Sequence, residues 1–360
     1  MNTLRPTGAR NLSLLFRNAS PSARRQFLRH SSSSPTSSVS PDELSHFSGL
    51  ASSWWDPLGP SRILHLMNPL RHDFIGSCLS DGSPLQSRPS DREAPVPYEE
   101  GTDSSVHNEG ETGLKYLDIG CGGGIFAESL ARTIPLSMSG PYTPTRASSI
   151  LAIDPSTTLI SIAAAHARKD PTLYSHLQTG RFRYENTTLE NLSSLSYPSS
   201  SSSASPSSSS DSPEIPKFDV VTLFEVLEHV DPSTSSPSQF LEMCLRHVRP
   251  GGWLIGSTIA RTIPSYLVNK VVAEAPWPLG VVPRGTHEWS KFVNADEVRA
   301  WAEDGLRREE QASDASHGGR NFSGTQWKCI GVLYVPGFGW KMMTDAEEYG
   351  NYFWAVRKGS

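Results

Sequence analysis

Cysteine is scarce. The 360 residues contain four (Cys78, Cys121, Cys244, Cys329), widely spaced and with no CxxC pair, which argues against a disulfide scaffold and against a structural zinc site. No run of eighteen uncharged apolar residues exists, so no transmembrane helix is expected. Positive charge is not in excess either. The formal net charge of -5 excludes a broadly basic nucleic-acid binder, and no nucleic-acid partner is expected. No internal repeat is present. Apolar residues make up 36%, and even with the glycines added the chain falls slightly short of an ordinary globular composition. Serine tracts are the diluent.

The first forty residues lack Asp and Glu altogether, yet hold Arg5, Arg10, Arg17, Arg24, Arg25 and Arg29 among serines and leucines. An Arg- and Ser-rich, acid-poor leader of this kind is the composition of a mitochondrial transit peptide, here expected over 1–40 with processing between Arg25 and Ser40. Removing the six arginines takes the formal charge from -5 to -11. Residues 42–78 read as helical, an N-terminal cap over 41–78 with Phe47, Leu50, Trp54 and Trp55 on an apolar face, and Asn68-Pro69-Leu70-Arg71 is expected to open another short helix. Residues 79–112 read as a polar insertion. A second break falls at 135–148. The third lies within 196–216: from Ser199 to Ser210 only Ala204 and Pro206 are not serine, too little apolar surface to offset chain entropy.

Between these breaks strands alternate with helices. Leu114–Ile119, Ile150–Ile153, Arg181–Tyr184, Phe218–Phe224, Trp253–Thr258, Trp327–Val335 and Asn351–Val356 read as strands. Ile125–Thr133, Thr157–Arg168 and Phe240–Val248 read as helices. The pattern predicts an α/β fold over 113–360: a mostly parallel seven-stranded sheet with helices on both faces and an antiparallel hairpin of the last two strands at one edge.

Two segments carry chemistry. The first is Leu117-Asp118-Ile119-Gly120-Cys121-Gly122-Gly123-Gly124-Ile125, a buried strand that turns through glycines directly into a helix. Glycines let a ligand approach the backbone, and the amides at the helix start favour a polar or anionic group. Asp154 ends the second strand, where its carboxylate can accept from both hydroxyls of a ribose; capping the helix at Thr157 is its other possible duty. Asp118 can hold the loop or meet a ligand amine. A tight turn without a ligand and a dinucleotide site both remain compatible with the glycines alone.

The second segment is Phe224-Glu225-Val226-Leu227-Glu228-His229-Val230. If the turn is helical, Glu225, Glu228 and His229 share a face at i, i+3 and i+4. Two carboxylates and an imidazole suit Mg²⁺ or another hard divalent ion completed by water. The alternative is an acidic residue that only orients a cofactor, with His229 capping the turn.

D-x-G-x-G-x-G with a downstream strand-end acid and Pro250-Gly251-Gly252 resembles the class I S-adenosylmethionine-dependent methyltransferases. Ala51-Ser52-Ser53-Trp54-Trp55-Asp56, Met67-Asn68-Pro69-Leu70-Arg71, the glycine loop, Phe224–Val230 and Val282-Pro283-Arg284-Gly285-Thr286-His287 together resemble one family more closely, the ubiquinone biosynthesis O-methyltransferases. The resemblance runs from about Leu44 to Arg357. It implies S-adenosylmethionine as methyl donor, bound by Arg71, Gly120, Gly122, Asp118 and Asp154. Phe224 replaces a frequent Met beside the adenosine and is expected to contact it through its backbone. It implies Mg²⁺ at Glu225, Glu228 and His229, with His229 or His287 as general base where no metal is present; His287 packed beside Trp289 is the alternative for that residue.

The implied substrates are a polyprenylated dihydroxybenzoate and a demethylated ubiquinol, methylated on a ring oxygen. The implied setting is the matrix face of the mitochondrial inner membrane, in a complex with other proteins of ubiquinone biosynthesis. The interrupted apolar stretch 263–282, within a cap segment spanning 261–292, would dip into the interface with Trp277 at headgroup depth, unless it is an ordinary buried helix and loop. A methyltransferase for another small phenol, a dinucleotide oxidoreductase and a non-catalytic assembly subunit are the competing readings.

Overall fold

A computed structural model of the chain describes residues 38–59, 61–82, 113–137, 142–192, 215–232, 234–274, 288–317, 324–335 and 337–359. The expected leader up to residue 37, nearly all of the polar insertion, most of the serine tract, Trp277 and His287 lie outside the described residues.

Among the described residues two α-helices precede the sheet. Helix α1 (Pro41–Leu50) starts at Ser40, whose hydroxyl accepts from the Glu43 amide, with Pro41 at the first position. A single 3₁₀ turn (Ala51–Ser53) follows, and the chain then turns through Trp54–Gly59 before α2 (Arg62–Gly82). The helical reading of 42–78 therefore breaks in its middle, and Pro69 opens no helix: it lies inside α2. Proline costs that helix one backbone bond, and the α2 side chains compensate through tertiary contacts described below.

The sheet has eight strands rather than seven, in the order β3-β2-β1-β4-β5-β8-β6-β7. β1 (Leu114–Ile119), β2 (Ala147–Asp154), β3 (Phe182–Asn186), β4 (Phe218–Phe224) and β5 (Val248–Ile259) run parallel. β8 (Asn351–Arg357) inserts antiparallel between β5 and β6 (Gln326–Val335). The extra strand β7 (Gly339–Met343) forms a hairpin with β6 and makes the edge. The sequence pattern hides β7 because it is short and only partly covered; Trp340 anchors it by donating its indole N–H to the Ile63 carbonyl of α2 at 2.8 Å.

Alternate residues of each central strand feed two cores. In β1, Tyr116 enters one core with Phe126 and Leu130 of α3 (Ile125–Ala131) and Phe74 of α2. Leu117 enters the other with Phe240 and Leu245 of α6 (Pro237–Arg246) and Val298 and Leu306 of α8 (Ala295–His317). Coverage of both faces explains why β4 reads as a strongly apolar run, every residue buried, with Asp219 and Thr222 its polar members. Helices α4 (Thr157–Ala167) and α5 (Pro171–Gln178) lie between β2 and β3 in sequence. After β5 comes a short helix, α7 (Ile263–Ser265), continued as a π-helix over Tyr266–Val272. No helix among the described residues is long and apolar enough to cross a membrane.

Candidate active site

A cavity of about 660 Å³ opens beyond the carboxyl ends of β1, β2 and β4, where a parallel sheet places its ligands. All six expected cofactor residues line it: Arg71, Asp118, Gly120, Gly122, Asp154 and Phe224. Glu225, Glu228 and His229 line it as well. Residues separated by more than 150 positions thus share one wall.

The half nearest the glycine loop is held by backbone. Gly122 has φ +53°, a left-handed conformation that favours glycine, and its N–H donates to Asp154 Oδ2 at 2.9 Å. The Ser156 amide donates to Asp154 Oδ1 at 2.8 Å. The cap of α4 is Ser156, not Asp154. Burial raises the Asp154 carboxyl, against the pull of those two amides. Asp118 Oδ1 accepts from the Thr222 hydroxyl at 2.7 Å, and burial, with the charge of Asp154 adding to it, pushes this carboxyl up to about 7.

Two indoles brace the loop from outside the sheet. The Trp55 indole donates to the Gly123 carbonyl at 3.0 Å and stacks on His166, ring centres 3.5 Å apart. Trp54 lies flat enough on the loop that a Cβ at Gly123 would stand 2.2 Å from its Cδ1, and one at Gly122 2.8 Å from its Cζ2. Those glycines serve close approach of an aromatic ring of the same chain.

Arg71 is buried, 3% exposed. Its Nη1 donates to Asn68 Oδ1 at 3.0 Å, and Asn68 Nδ2 donates to the Ile125 carbonyl at 3.0 Å. Asn68 thereby ties α2 to the start of α3 across the Pro69 interruption. The guanidinium sits over the Phe224 ring at 5.0 Å and the Phe126 ring at 5.8 Å, cation–π distances. Phe224 thus turns its ring to Arg71 and Phe126. Burial lowers the Arg71 pKa, opposed by the charges of Glu225, Asp118 and Glu228.

The acidic half is held by distant strands. The expected helical face does not form. Glu225 takes φ +57°, and only Leu227–His229 makes a single 3₁₀ turn. A left-handed non-glycine costs about 1–2 kcal/mol. Contacts offset it: the Glu225 amide donates to Ser257 Oγ at 3.0 Å, the Ser257 hydroxyl donates to Glu225 Oε1 at 2.6 Å, and Asn351 Nδ2 donates to Oε2 at 3.0 Å. Glu228 Oε2 accepts from the Thr258 hydroxyl at 2.7 Å. Burial and the charge of Glu225 push Glu228 up to about 7.

His229 Nδ1 donates to Glu43 Oε2 at 3.2 Å, and Lys291 Nζ donates to Glu43 Oε1 at 2.8 Å. The hydrogen bond from His229, helped by Lys291, holds Glu43 down at about 2 against its burial. Burial alone would lower His229, but Glu43 and the charge of Glu228 outweigh it and raise the imidazole above its ordinary value.

Among the described residues no three His, Cys, Asp or Glu side chains converge as a metal centre. The donor types suit a hard cation, and in this structure both Glu225 oxygens, one Glu228 oxygen and His229 Nδ1 are engaged by protein groups. Glu43, Ser257, Thr258 and Asn351 escape sequence reasoning because no local string connects them to the acidic turn. Trp54 and Trp55, expected on the apolar face of a helix, lie instead in the turn after the 3₁₀ segment and against the glycine loop.

Comparison with known proteins agrees with this geometry. A family described as "Methyltransferase domain" matches residues 98–305. The mitochondrial ubiquinone biosynthesis O-methyltransferase of Candida albicans is 34% identical over 89% of this chain and 86% of its own. Its Saccharomyces cerevisiae counterpart is 31% identical over 89% and 88%. The ubiquinone biosynthesis O-methyltransferase of Methylocella silvestris is 32% identical over 89% and 96%. With a glycine loop, a strand-end acid and a buried arginine round one cavity, and relatives aligned along nearly their whole length, the chain belongs to the ubiquinone biosynthesis O-methyltransferase family.

Proposed function

We propose that the chain transfers the methyl group of S-adenosylmethionine to a ring hydroxyl of polyprenylated dihydroxybenzoate and of demethylubiquinol. The observation that carries this reading is the single cavity shared by the glycine-loop half, suited to the donor, and the Glu225–His229 half, suited to a phenol. A neutral phenol, with pKa near 10, is a weak nucleophile. Glu43 occupies His229 Nδ1, which leaves Nε2 as the proton acceptor. The phenolic oxygen attacks the methyl carbon as its proton passes to Nε2. The C–O bond forms, the C–S bond breaks with its electron pair on sulfur, and S-adenosylhomocysteine leaves. Positioning both partners in one cavity supplies the in-line geometry.

A divalent cation at Glu225, Glu228 and His229 is a finer proposal, and no step above runs through it. The charge of half-buried Glu225, which raises the buried Glu228 carboxyl, supports it. Bound there, the ion would stabilise the phenolate of a catechol. To accept it, these side chains must give up some of their present partners.

The acid-free leader and the naming of the fungal relatives support a mitochondrial setting. Exposed Ile263, Leu267 and Val271 beside the cavity support peripheral attachment to the matrix face of the inner membrane, and family membership supports a place in a complex with other proteins of the pathway. The deciding assay uses labelled S-adenosylmethionine and a short-tailed dihydroxybenzoate, with and without chelator. Label on a ring oxygen is the expected result, and no transfer to any catechol overturns the reading. Activity indifferent to chelator and to Glu225→Ala with Glu228→Ala removes the cation.

A further inference from the structure

The cavity extends past its two chemical halves. A third arm of the same wall is built by Ile63 and Met67 near the start of α2 and by Val332, Tyr334 and Trp340 of the β6–β7 hairpin. Among the described residues that line the cavity, every charged side chain belongs to the other two halves and none to this arm. Trp340 spends its indole N–H on the Ile63 carbonyl at 2.8 Å, so that donor is not left for a ligand. Met67 and Val332, 1% and 0% exposed, belong to one hydrophobic core cluster, and Trp340 packs against it. Such a wall gains by covering hydrocarbon and gives a sugar or a zwitterion little to bond. Resting on the reading that the acceptor carries a polyprenyl tail, we propose that this arm is the tail's subsite: the isoprene units next to the ring lie between the β6–β7 hairpin and the start of α2, and the remainder leaves past the hairpin turn at Phe338.

The arm starts beside the acceptor pole. Val332 pairs with Asn351 across β6 and β8, and the Asn351 amide holds Glu225 Oε2. A ring with its hydroxyl at Glu225 and His229 therefore has the arm one strand away. From there the wall follows β6 outward. Val332 and Tyr334, two residues apart, share a face of the strand, and Tyr334 pairs with Trp340 of β7, the rings edge to face at 5.4 Å. The three steps from Val332 to Val335 cover about 10 Å at the rise of an extended strand. Over that length exposure climbs from 0% at Val332 to 37% at Val335, and Phe338 on the turn reaches 77%, while Gly337 beside it still lines the cavity. A packing defect would close within the core; this arm opens to the surface through apolar residues, the path a long hydrocarbon chain needs. The edge strand β7 thereby walls the part of the substrate that the ring chemistry does not touch.

The test is steady-state kinetics on the full chain with two acceptors that share one ring, dihydroxybenzoate without a tail and the same ring carrying a geranyl chain. The wild type is expected to prefer the geranylated ring in kcat/KM by about tenfold or more, since burying even a few methylene groups is worth that much. Tyr334→Asp sets a carboxylate in the arm, where an unpaired charge is costly beside hydrocarbon. It is expected to cut the preference about tenfold or more through the KM of the geranylated ring, with the KM for S-adenosylmethionine unmoved. If Tyr334→Asp does not fold, Tyr334→Ser takes its place in the same comparison. A wild type that methylates both rings equally well, or a preference that the substitution leaves intact, overturns the tail subsite and leaves the donor and phenol reading standing. No methyl transfer to either ring overturns that reading, and the subsite with it.

Discussion

The two halves of the cavity are built in opposite ways. In the glycine-loop half, the elements that shape the site are neighbours in sequence: β1 runs straight into Gly120–Gly124 and α3, and β2 ends on Asp154, one parallel register away. In the acidic half, Glu225 is strained and stands only because Ser257 of β5 and Asn351 of β8 hold both of its oxygens. Glu228 leans on Thr258, and His229 on Glu43 nearly two hundred residues away. A site that binds a common donor can be encoded by a local string. A site that must recognise and deprotonate one acceptor is assembled from several elements, so each contributes to its shape.

Substitutions can break this contrast, and the largest effect is expected in the acidic half. His229→Ala is expected to lower kcat by about 10²–10⁴, the usual contribution of a positioned base, with the Kd of S-adenosylhomocysteine unchanged; single-turnover kinetics beside calorimetry checks it. If donor binding falls as steeply as turnover, the halves are not independent.

Gly123→Ala attacks the other half. Its methyl group would stand 2.2 Å from Trp54 Cδ1, so the indole must leave. Overpacking of this kind costs about 1–3 kcal/mol, read as a lower thermal midpoint, and S-adenosylhomocysteine binding is expected to weaken about tenfold or more. Removing the brace under Glu225 is milder. Ser257→Ala leaves one carboxylate oxygen without its partner, while the bond from the Glu225 amide to the Ser257 backbone carbonyl at 3.2 Å remains, for a loss of about 1–2 kcal/mol of stability and a fall in kcat without a change in donor affinity.

The smallest effect is a pH slope in the glycine-loop half. Asp118 holds its proton in the folded chain up to about 7, whereas an unfolded aspartate loses it near its ordinary value. Its contribution to stability is therefore complete below the unfolded pKa and is lost as pH rises through about 7. Asp118→Asn should flatten that part of the stability curve of the ligand-free chain, measured by denaturant titration between pH 4 and 8.

Exposed apolar residues frame the same division. Ile263 and Leu267, on the segment after β5, and Phe338, on the β6–β7 turn, are exposed, while Val268 and Gly337, their near neighbours in sequence, line the cavity. Exposed apolar residues thus lie on two segments that border the cavity.

The alternation of buried runs with helical spacing was enough to set the parallel core of the sheet, because strands covered on both faces are mostly apolar and glycines must follow β1 for the chain to turn so tightly. Asp118, Asp154 and the Glu225–His229 string were legible for the same local reason: each sits at or just past the end of a strand whose apolar run is plain, whereas Arg71, inside α2, was singled out by the resemblance of its Asn68-Pro69-Leu70-Arg71 string. The edge strand β7, half covered and five residues long, had no such period, and Pro69 read as a helix start because a side-chain tie from Asn68 to α3 leaves no trace in sequence. Only the tertiary structure decided that Glu225 turns left-handed, that Glu43 closes on His229, and that Trp54 rests on Gly122 and Gly123. Those outcomes depend on hydrogen bonds and contacts between distant segments, whose energies exceed local preference once the sheet has brought them within reach.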